Sequence, residues 1–379
     1  MKKLQILQGS ALEKLKELDD KSIQTCITSP PYWGLRNYNV EGQLGLESTP
    51  QQYVQKLVEI FREVKRVLKD DGTVWLNLGD SYVGSRPMGT SDNEIDAYGR
   101  VNKTLQHTTS QGKLVKGLKP KDLVGIPWRV AFALQEDGWY LRQDIIWNKP
   151  NPMPESVTDR CTKSHEYIFL LSKSERYYYE NELIKEPTVQ VGAKNVIGGT
   201  KYPGKYQNIG KSGNQYEDLG TKNKRSVWNM TTKPYKEAHF ATFPEVLPET
   251  CIRASCSLGN CSNCGKPLKL EKERDKHPTR DMEAQRQASK EKTGRTDGHI
   301  SGPSGQVDKV RTLGYIADCD CDPSDRDFIT PTVLDPFAGA GTTGLVAMKL
   351  GKAAVLIELN PEYVELIHKR LNSFQQYLI

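Results

Sequence analysis

Short apolar runs separated by long polar stretches define this chain, and the runs predict its elements. Leu4 to Leu7 and Thr25 to Thr28 have the pattern of strands. The second run must stop at Pro30-Pro31, because consecutive prolines continue neither a helix nor a ladder. Near the other end, Pro331 to Leu334 predicts another strand, and Thr343 to Leu350 has apolar spacing that predicts a helix closed by Gly351. Between them lies the glycine-rich loop Asp335-Pro336-Phe337-Ala338-Gly339-Ala340-Gly341. Ala353 to Glu358 follows as a buried strand ending in a carboxylate. Residues 84–121, 187–238 and 266–312 are polar, rich in Gly, Ser, Thr, Asn and Lys without sustained period, and read as loops that are partly mobile when nothing is bound. The apolar runs suffice for one core, and no internal repeat is visible.

Two of the predicted strand ends carry chemistry. The turn Thr28-Ser29-Pro30-Pro31-Tyr32-Trp33 presents a hydroxyl, a fixed carbonyl and two aromatic rings, a set suited to gripping a flat polar group. Alone, it fits equally well a turn whose aromatics pack into a core. Gly339, Gly341 and Gly344 have G-x-G-x-x-G spacing between strand and helix, and Glu358 stands 23 residues after Asp335, where it can accept hydrogen bonds from ribose hydroxyls. These features imply a bound nucleoside. No Lys follows the glycines, which removes the phosphate-loop reading; a dinucleotide stays open, and ordinary solvation of strand ends is the bland alternative for Asp335 and Glu358.

Ser29-Pro30-Pro31-Tyr32 after a strand, together with Asp335-Pro336-Phe337-Ala338-Gly339-Ala340-Gly341, resembles the S-adenosylmethionine-dependent DNA amino-methyltransferases. The catalytic motif precedes the cofactor motif, as in the β-class order. The resemblance covers residues 5–83, 123–180, 239–255 and 331–372. Asp71 to Tyr82 is similar to the strand after the catalytic one, Asp144 to Pro154 and His165 to Leu170 to later core strands, and His239 to Pro244 to the segment closing over the cofactor's methionine end.

What this implies is a Rossmann-like α/β methyltransferase fold: one mixed, mostly parallel sheet with helices on both faces, its motif order rotated, plus a loop-rich target-recognition insert. Residues 1–83 and 123–186 would form the catalytic half, 84–122 a mobile loop, 187–238 the DNA-contact insert, 239–260 the cofactor-closing segment, 261–330 a zinc-knuckle insert and 331–379 the cofactor-binding half. In the catalytic motif Ser29, Pro30, Pro31 and Tyr32, the Ser29 hydroxyl and Pro30 carbonyl would accept the N–H bonds of an exocyclic amine, and Tyr32 would stack on a base flipped from the duplex. S-adenosyl-L-methionine would lie against Asp335, Pro336, Phe337, Gly339, Gly341, Thr342 and Glu358, with Phe243 and Pro244 at its methionine end. Where the family often has an acid, this chain has Gly9-Ser10, so Ser10 would make that adenine contact with less charge.

A cytosine-C5 enzyme needs a Pro-Cys nucleophile, and this chain has no Pro-Cys pair. Ser in the first position of the catalytic motif is associated in the family mostly with cytosine N4, Asp or Asn with adenine N6. The expectation is therefore cytosine-N4 methylation of double-stranded DNA, with adenine N6 as the alternative and an inactive nucleic-acid-binding protein on the same fold as the rival of another class. A nicotinamide enzyme would share the glycine loop without explaining Ser29 to Tyr32. On either side of both ligands, the catalytic turn and the glycine loop should share the carboxyl edge of the sheet.

Eight cysteines in 379 residues are too sparse for a disulfide scaffold, and no signal peptide or long apolar segment is visible; the expectation is a cytoplasmic, DNA-associated protein of bacterial or phage type, without a membrane. Cys261-Ser262-Asn263-Cys264-Gly265 and Cys319-Asp320-Cys321 are two close pairs, and Cys261, Cys264, Cys319 and Cys321 are expected to hold a structural Zn²⁺, unliganded thiols being the alternative. Cys251 and Cys256 are expected to pack as small apolar residues. In the middle insert, Lys201, Lys205, Lys211, Lys222, Lys224, Arg225, Lys233 and Lys236 interleave with Tyr202, Tyr206, Tyr216 and Trp228, a pattern suited to phosphate contact and base stacking. The net charge of +6 is compatible with DNA binding without diagnosing it. The family leaves room for a homodimer and for a cognate restriction endonuclease as partners.

Overall fold

A computed structural model describes residues 4–35, 37–38, 40–83, 118–187, 221–232, 242–275, 309–322 and 327–376. The strands are β1 (Leu4–Gln8), β2 (Ile23–Thr28), β3 (Leu68–Leu78), β4 (Tyr140–Asn148), β5 (His165–Ser172), the short β6 (Glu186–Pro187), β7 (Thr221–Lys222), β8 (Val227–Asn229) and β9 (Asn260–Cys261), then β10 (Leu268–Asp275), β11 (Lys309–Ala317), β12 (Phe328–Ile329), β13 (Thr332–Asp335) and β14 (Ala353–Glu358). The helices are α1 (Ala11–Lys16), α2 (Pro50–Val67), α3 (Ile126–Glu136), α4 (Val246–Ser255), α5 (Thr342–Lys349) and α6 (Pro361–Gln376). Eight strands form one sheet in the order β1-β14-β13-β2-β3-β5-β4-β8. All its pairings are parallel except those of β5, which runs against β3 and β4.

The unbroken burial of β2 and β13 follows from having helices on both faces of the sheet. Alternate residues go to opposite sides: Cys26, Val74, Leu76, Phe169 and Leu334 join α1, α2 and α3 in one core, while Ile27, Trp75, Ile168, Leu170 and Val333 join α4 and α5 in the other. Helix α2 starts where Thr49 accepts from the Gln52 N–H at 3.2 Å and Pro50 occupies the first turn, and it buries Tyr53, Leu57, Phe61 and Val64 on one side. Helix α5 comes so close to the sheet at Gly344 that a Cβ there would lie 2.5 Å from Leu356 Cδ1.

This architecture is the expected one, and the rotated order of the two motifs costs nothing in space: β13 and β14, from the far end of the chain, insert between β1 and β2 in the interior of the sheet. Cys251 and Cys256 are buried, as expected of small apolar residues.

The polar stretches expected to be loops are only partly so: β7 and β8 lie within 187–238, and β10 and the start of β11 within 266–312, because pairing with a neighbouring strand supplies the order their composition does not announce. Lys201, Lys205, Lys211, Lys233 and Lys236, with Tyr202, Tyr206 and Tyr216, lie outside the described residues, as does 84–117 of the expected mobile loop. Trp228, however, is not a surface platform for bases. Because β8 adds to β4 at the sheet edge, its alternation turns Trp228 inward, 6.0 Å from the Trp75 ring, with the indole N–H donating to Arg225 O at 2.8 Å. Arg225 and Lys222 pair with Glu186 at 2.5 and 3.6 Å. Among the described residues, no helix is long and apolar enough to cross a membrane. Trp228→Ala should lower the unfolding free energy by about 3–5 kcal/mol, the cost of emptying a large buried site, measured by urea denaturation.

Candidate active site

Parallel pairing of β2 with β13, Val333 against Thr25 and Leu334 against Cys26, brings the two strand ends side by side. A buried carboxylate then joins them. Asp335 Oδ1 accepts from Thr28 Oγ1 at 2.7 Å and from the Phe337 N–H at 3.1 Å, and Oδ2 accepts from Thr343 Oγ1 at 2.6 Å. Asp335 is 1% exposed, and burial pushes its carboxyl up to about 6 although the three hydrogen bonds pull the other way. The catalytic turn, the glycine loop and the first turn of α5 are thus anchored on one side chain.

Above this anchor lies a cavity of about 520 Å³, a size usual for small-molecule and cofactor sites. Ser29, Pro30, Pro31 and Tyr32 line one part of it; Pro336, Phe337, Gly339, Thr342 and Glu358 line another, and Ser10 and Phe243 also face it. Ser29 and Gly339 therefore share the carboxyl edge of the sheet. Glu358, at the tip of β14, accepts from the Gly339 N–H at 2.7 Å and the Asn360 N–H at 2.9 Å, and burial raises its pKa above the ordinary carboxylate range. At Gly339 φ is +50°, and a Cβ built there would meet nothing within 4 Å, so the backbone itself stands open to the space.

Three residues expected at the cofactor do not line the cavity. Asp335 is turned inward into its three hydrogen bonds. Gly341 caps α5 at φ +72°, where a Cβ would sit 3.1 Å from Ile367. Pro244 has its carbonyl engaged by the Leu247 N–H at 3.0 Å, at the start of α4.

The Tyr32 hydroxyl is the centre of a second network. It accepts from Ser29 Oγ at 3.2 Å and donates to Glu166 Oε2 at 2.7 Å, where Asn77 Nδ2 also donates at 3.1 Å. Lys149 is ion-paired with the other Glu166 oxygen and sits 4.5 Å from the Trp147 ring centroid. Burial, then the nearby Glu166, raises the Tyr32 pKa strongly, so the phenol stays protonated. The ring packs directly on Gly79, where a Cβ would fall 2.5 Å from Tyr32 Cε2. From behind, Tyr53 OH donates to Pro31 O at 2.9 Å and Trp33 Nε1 to Glu47 O at 2.9 Å, fixing the turn. Asn77, Trp147, Lys149 and Glu166 all line the cavity, and sequence reading gave them no role. A usable signal was present: Lys149 and Glu166 are charges at the ends of apolar strands, beside a motif already suspected. His165 makes an edge-on contact with Tyr167.

Far from this cavity, Cys261, Cys264, Cys319 and Cys321 converge, their Sγ atoms all within 4.8 Å of one another.

A Rossmann-like sheet that sets a nucleoside-sized cavity beside a Ser-Pro-Pro-Tyr turn defines an amino-methyltransferase. The family described as DNA methylase, covering N6 and N4 enzymes, matches residues 23–261 and 329–369. The chain is 38% identical to the type II methyltransferase M.Cfr9I of Citrobacter freundii, over 97% of this chain and 87% of that protein. It is likewise 38% identical to the type II methyltransferase M.SmaI of Serratia marcescens, over 98% of this chain and 91% of that one. In fold it matches the PvuII DNA methyltransferase (cytosine-N4-specific) with a TM-score of 0.50 and 16% identity, covering 97% of this chain and 87% of that chain. The chain belongs to the N6/N4 DNA methylase family; it is a DNA methyltransferase, and its cofactor is S-adenosylmethionine.

Two outcomes follow from this geometry. The folded protein holds the Asp335 proton more tightly than the unfolded chain, whose Asp titrates near 3.8, so the Asp335 contribution to stability is complete below about pH 4 and is lost as pH rises through 6. Asp335→Asn should remove that slope, about 3 kcal/mol at full extent, in denaturation curves compared between pH 4 and 7. Gly79→Ala should displace the Tyr32 ring and lower methyl transfer tenfold or more, an overpacking cost of about 1–3 kcal/mol, with affinity for S-adenosylhomocysteine nearly unchanged by calorimetry.

Proposed function

We propose that this enzyme methylates the exocyclic N4 amine of cytosine in duplex DNA. The observation that carries this reading is the shared cavity: Ser29 and Tyr32 face Phe337, Gly339 and Glu358 across the adjacent ends of β2 and β13. Ser, not Asp or Asn, in the first position of the catalytic motif favours cytosine, by the resemblance described above.

The residues present fit the cofactor. Glu358 offers carboxylate oxygens at the strand tip for ribose hydroxyls, and the open Gly339 backbone leaves the room a side chain would fill. Pro336, Phe337 and Thr342 would hold the nucleoside end together with Ser10, and Phe243 the methionine end. S-adenosylmethionine, when bound, supplies a methyl group already activated on a positively charged sulfur.

The chain's own work is on the amine. Its lone pair is delocalised into the base ring, so Ser29 Oγ and the Pro30 carbonyl accept its N–H bonds and draw the nitrogen toward a tetrahedral geometry. The base must leave the stack to reach them, and Tyr32 offers its ring. Tyr32 is itself fixed by Glu166 and Gly79, so that alignment is set before the base arrives. The methylated nitrogen is positively charged and strongly acidic, so a weak base suffices for its proton. The bonds from Ser29 Oγ to Tyr32 OH and on to Glu166 form a path: the nitrogen's proton passes to Ser29 as the Ser29 proton passes to Tyr32 and the Tyr32 proton to Glu166. Lys149 balances the Glu166 charge before the transfer.

The type II relatives support a sequence-specific role beside a cognate endonuclease. Labelled methyl transfer to mixed-sequence duplex DNA, read by nucleoside mass spectrometry, should yield N4-methylcytosine; N6-methyladenine would overturn the base assignment. Ser29→Ala should reduce kcat by about 10²-fold or more. Glu166→Gln should reduce kcat while the Kd for S-adenosylhomocysteine stays unchanged.

A further inference from the structure

The four converging cysteines lie where the proposed reaction does not need them. Cys261 ends β9 and Cys264 lies on the turn that follows; Cys319 and Cys321 come just after β11. The turn is tight: the Gly265 N–H donates to Cys261 O at 2.9 Å, the Cys261 N–H to Lys266 O at 2.8 Å, and Gly265 takes φ +74°, which glycine adopts at least cost. Strands β10 and β11 pair in antiparallel register from Leu268 against Ala317, so the two Cys pairs meet at the root of a two-stranded ribbon. Lys269 is ion-paired with Asp318 at the same root.

None of these cysteines forms a disulfide, and their sulfurs form one group of four mutual neighbours rather than two pairs. Four thiolates around one ion with bonds of about 2.3 Å have sulfur–sulfur edges of about 3.8 Å, and Sγ atoms within 4.8 Å reach that tetrahedron by small side-chain rotations. Cys264 is exposed and Cys319 and Cys321 are half-exposed, so hydrophobic burial does not account for the gathering. We propose that Cys261, Cys264, Cys319 and Cys321 bind one structural Zn²⁺, which clamps the root of the β10–β11 ribbon to the edge of the sheet opposite the reaction cavity.

The position of the clamp follows from its neighbours. Asn260, beside Cys261, is fully buried; its amide lies 2.7 Å from Ser257 Oγ and 3.1 Å from Gln24 Oε1, with its oxygen facing Lys69 Nζ at 2.5 Å. Gln24 is the second residue of β2 and donates to Asp71 Oδ1 at 3.1 Å. The strand whose far end presents Ser29 is therefore tied to the cysteine module at its near end. Strand β12 pairs with β9, Phe328 against Cys261, and ends just before β13 begins, at the same edge. A closed four-sulfur site leaves no open position for a substrate, and at this edge its contribution is to folding.

The protein, purified without a chelating tag, should carry one zinc per chain by elemental mass spectrometry. Cobalt exchanged into the site should give the intense visible absorption of a tetrahedral thiolate complex. Cys319→Ser/Cys321→Ser should lose the metal and lower Tm by about 5–10 °C, while its Kd for S-adenosylhomocysteine, measured below that Tm, changes less than twofold. Should that variant fail to accumulate, titration of the intact enzyme with a mercurial should release the one zinc only as four thiols react. Iron in place of zinc, two disulfides with no metal, or zinc retained in the double variant would each overturn the assignment.

Discussion

The buried Asp335 carboxylate is the constraint on which the site depends. It is reached by hydroxyls from two directions, Thr28 at the end of β2 and Thr343 in the first turn of α5, and by the backbone of its own loop. A charged or protonated carboxylate inside a sheet is costly unless its lone pairs are met, and here they are met by the very segments that must be held in register. The cost of burial is visible in its raised pKa. In return, the turn that offers Ser29 and the loop that offers Gly339 cannot drift apart without orphaning that group.

The two edges of the sheet then take different tasks. At the carboxyl edge, strand ends stop at prolines and glycines, leaving backbone and carboxylates pointed at a cavity. At the amino edge, the buried Asn260 and Gln24 and the half-buried Lys69 and Asp71 form a polar cluster that fastens the cysteine module, and Lys352 donates to Ser257 O in the same region. A buried network of this kind fixes one arrangement, because any alternative leaves a polar atom without a partner. Tyr32 shows the same logic at the reactive edge: Glu166, Asn77 and Gly79 leave its ring a single position.

Residues that face the cavity from single motifs were legible in the chain: Ser29 to Tyr32, Pro336 to Gly339, Thr342 and Glu358 announce themselves by proline turns, glycine spacing and a carboxylate at a strand tip. Asp335, Gly341 and Pro244 belong to the same motifs yet serve them from behind, since a motif fixes which residues are adjacent in sequence and not which way each side chain turns. Trp228 misled for a related reason. Among lysines it reads as a surface aromatic, but once β8 joins the sheet edge the alternation of the strand carries it into the core.

Local sequence thus determined the elements of the core, the family and the spacing of the cysteines along the chain, because proline, glycine and apolar period act over a few residues; β8, β10 and the start of β11 lie in stretches that read as loops. Tertiary structure alone decided that Glu166 and Lys149, more than a hundred residues from Tyr32, complete its surroundings, and that Asp335 bridges to Thr28 and does not face the cavity. It also decided that the four cysteines meet at the edge away from the cavity. These are contacts between strands whose order in the sheet differs from their order in the chain, and only packing of the sheet between its two helical layers sets that order.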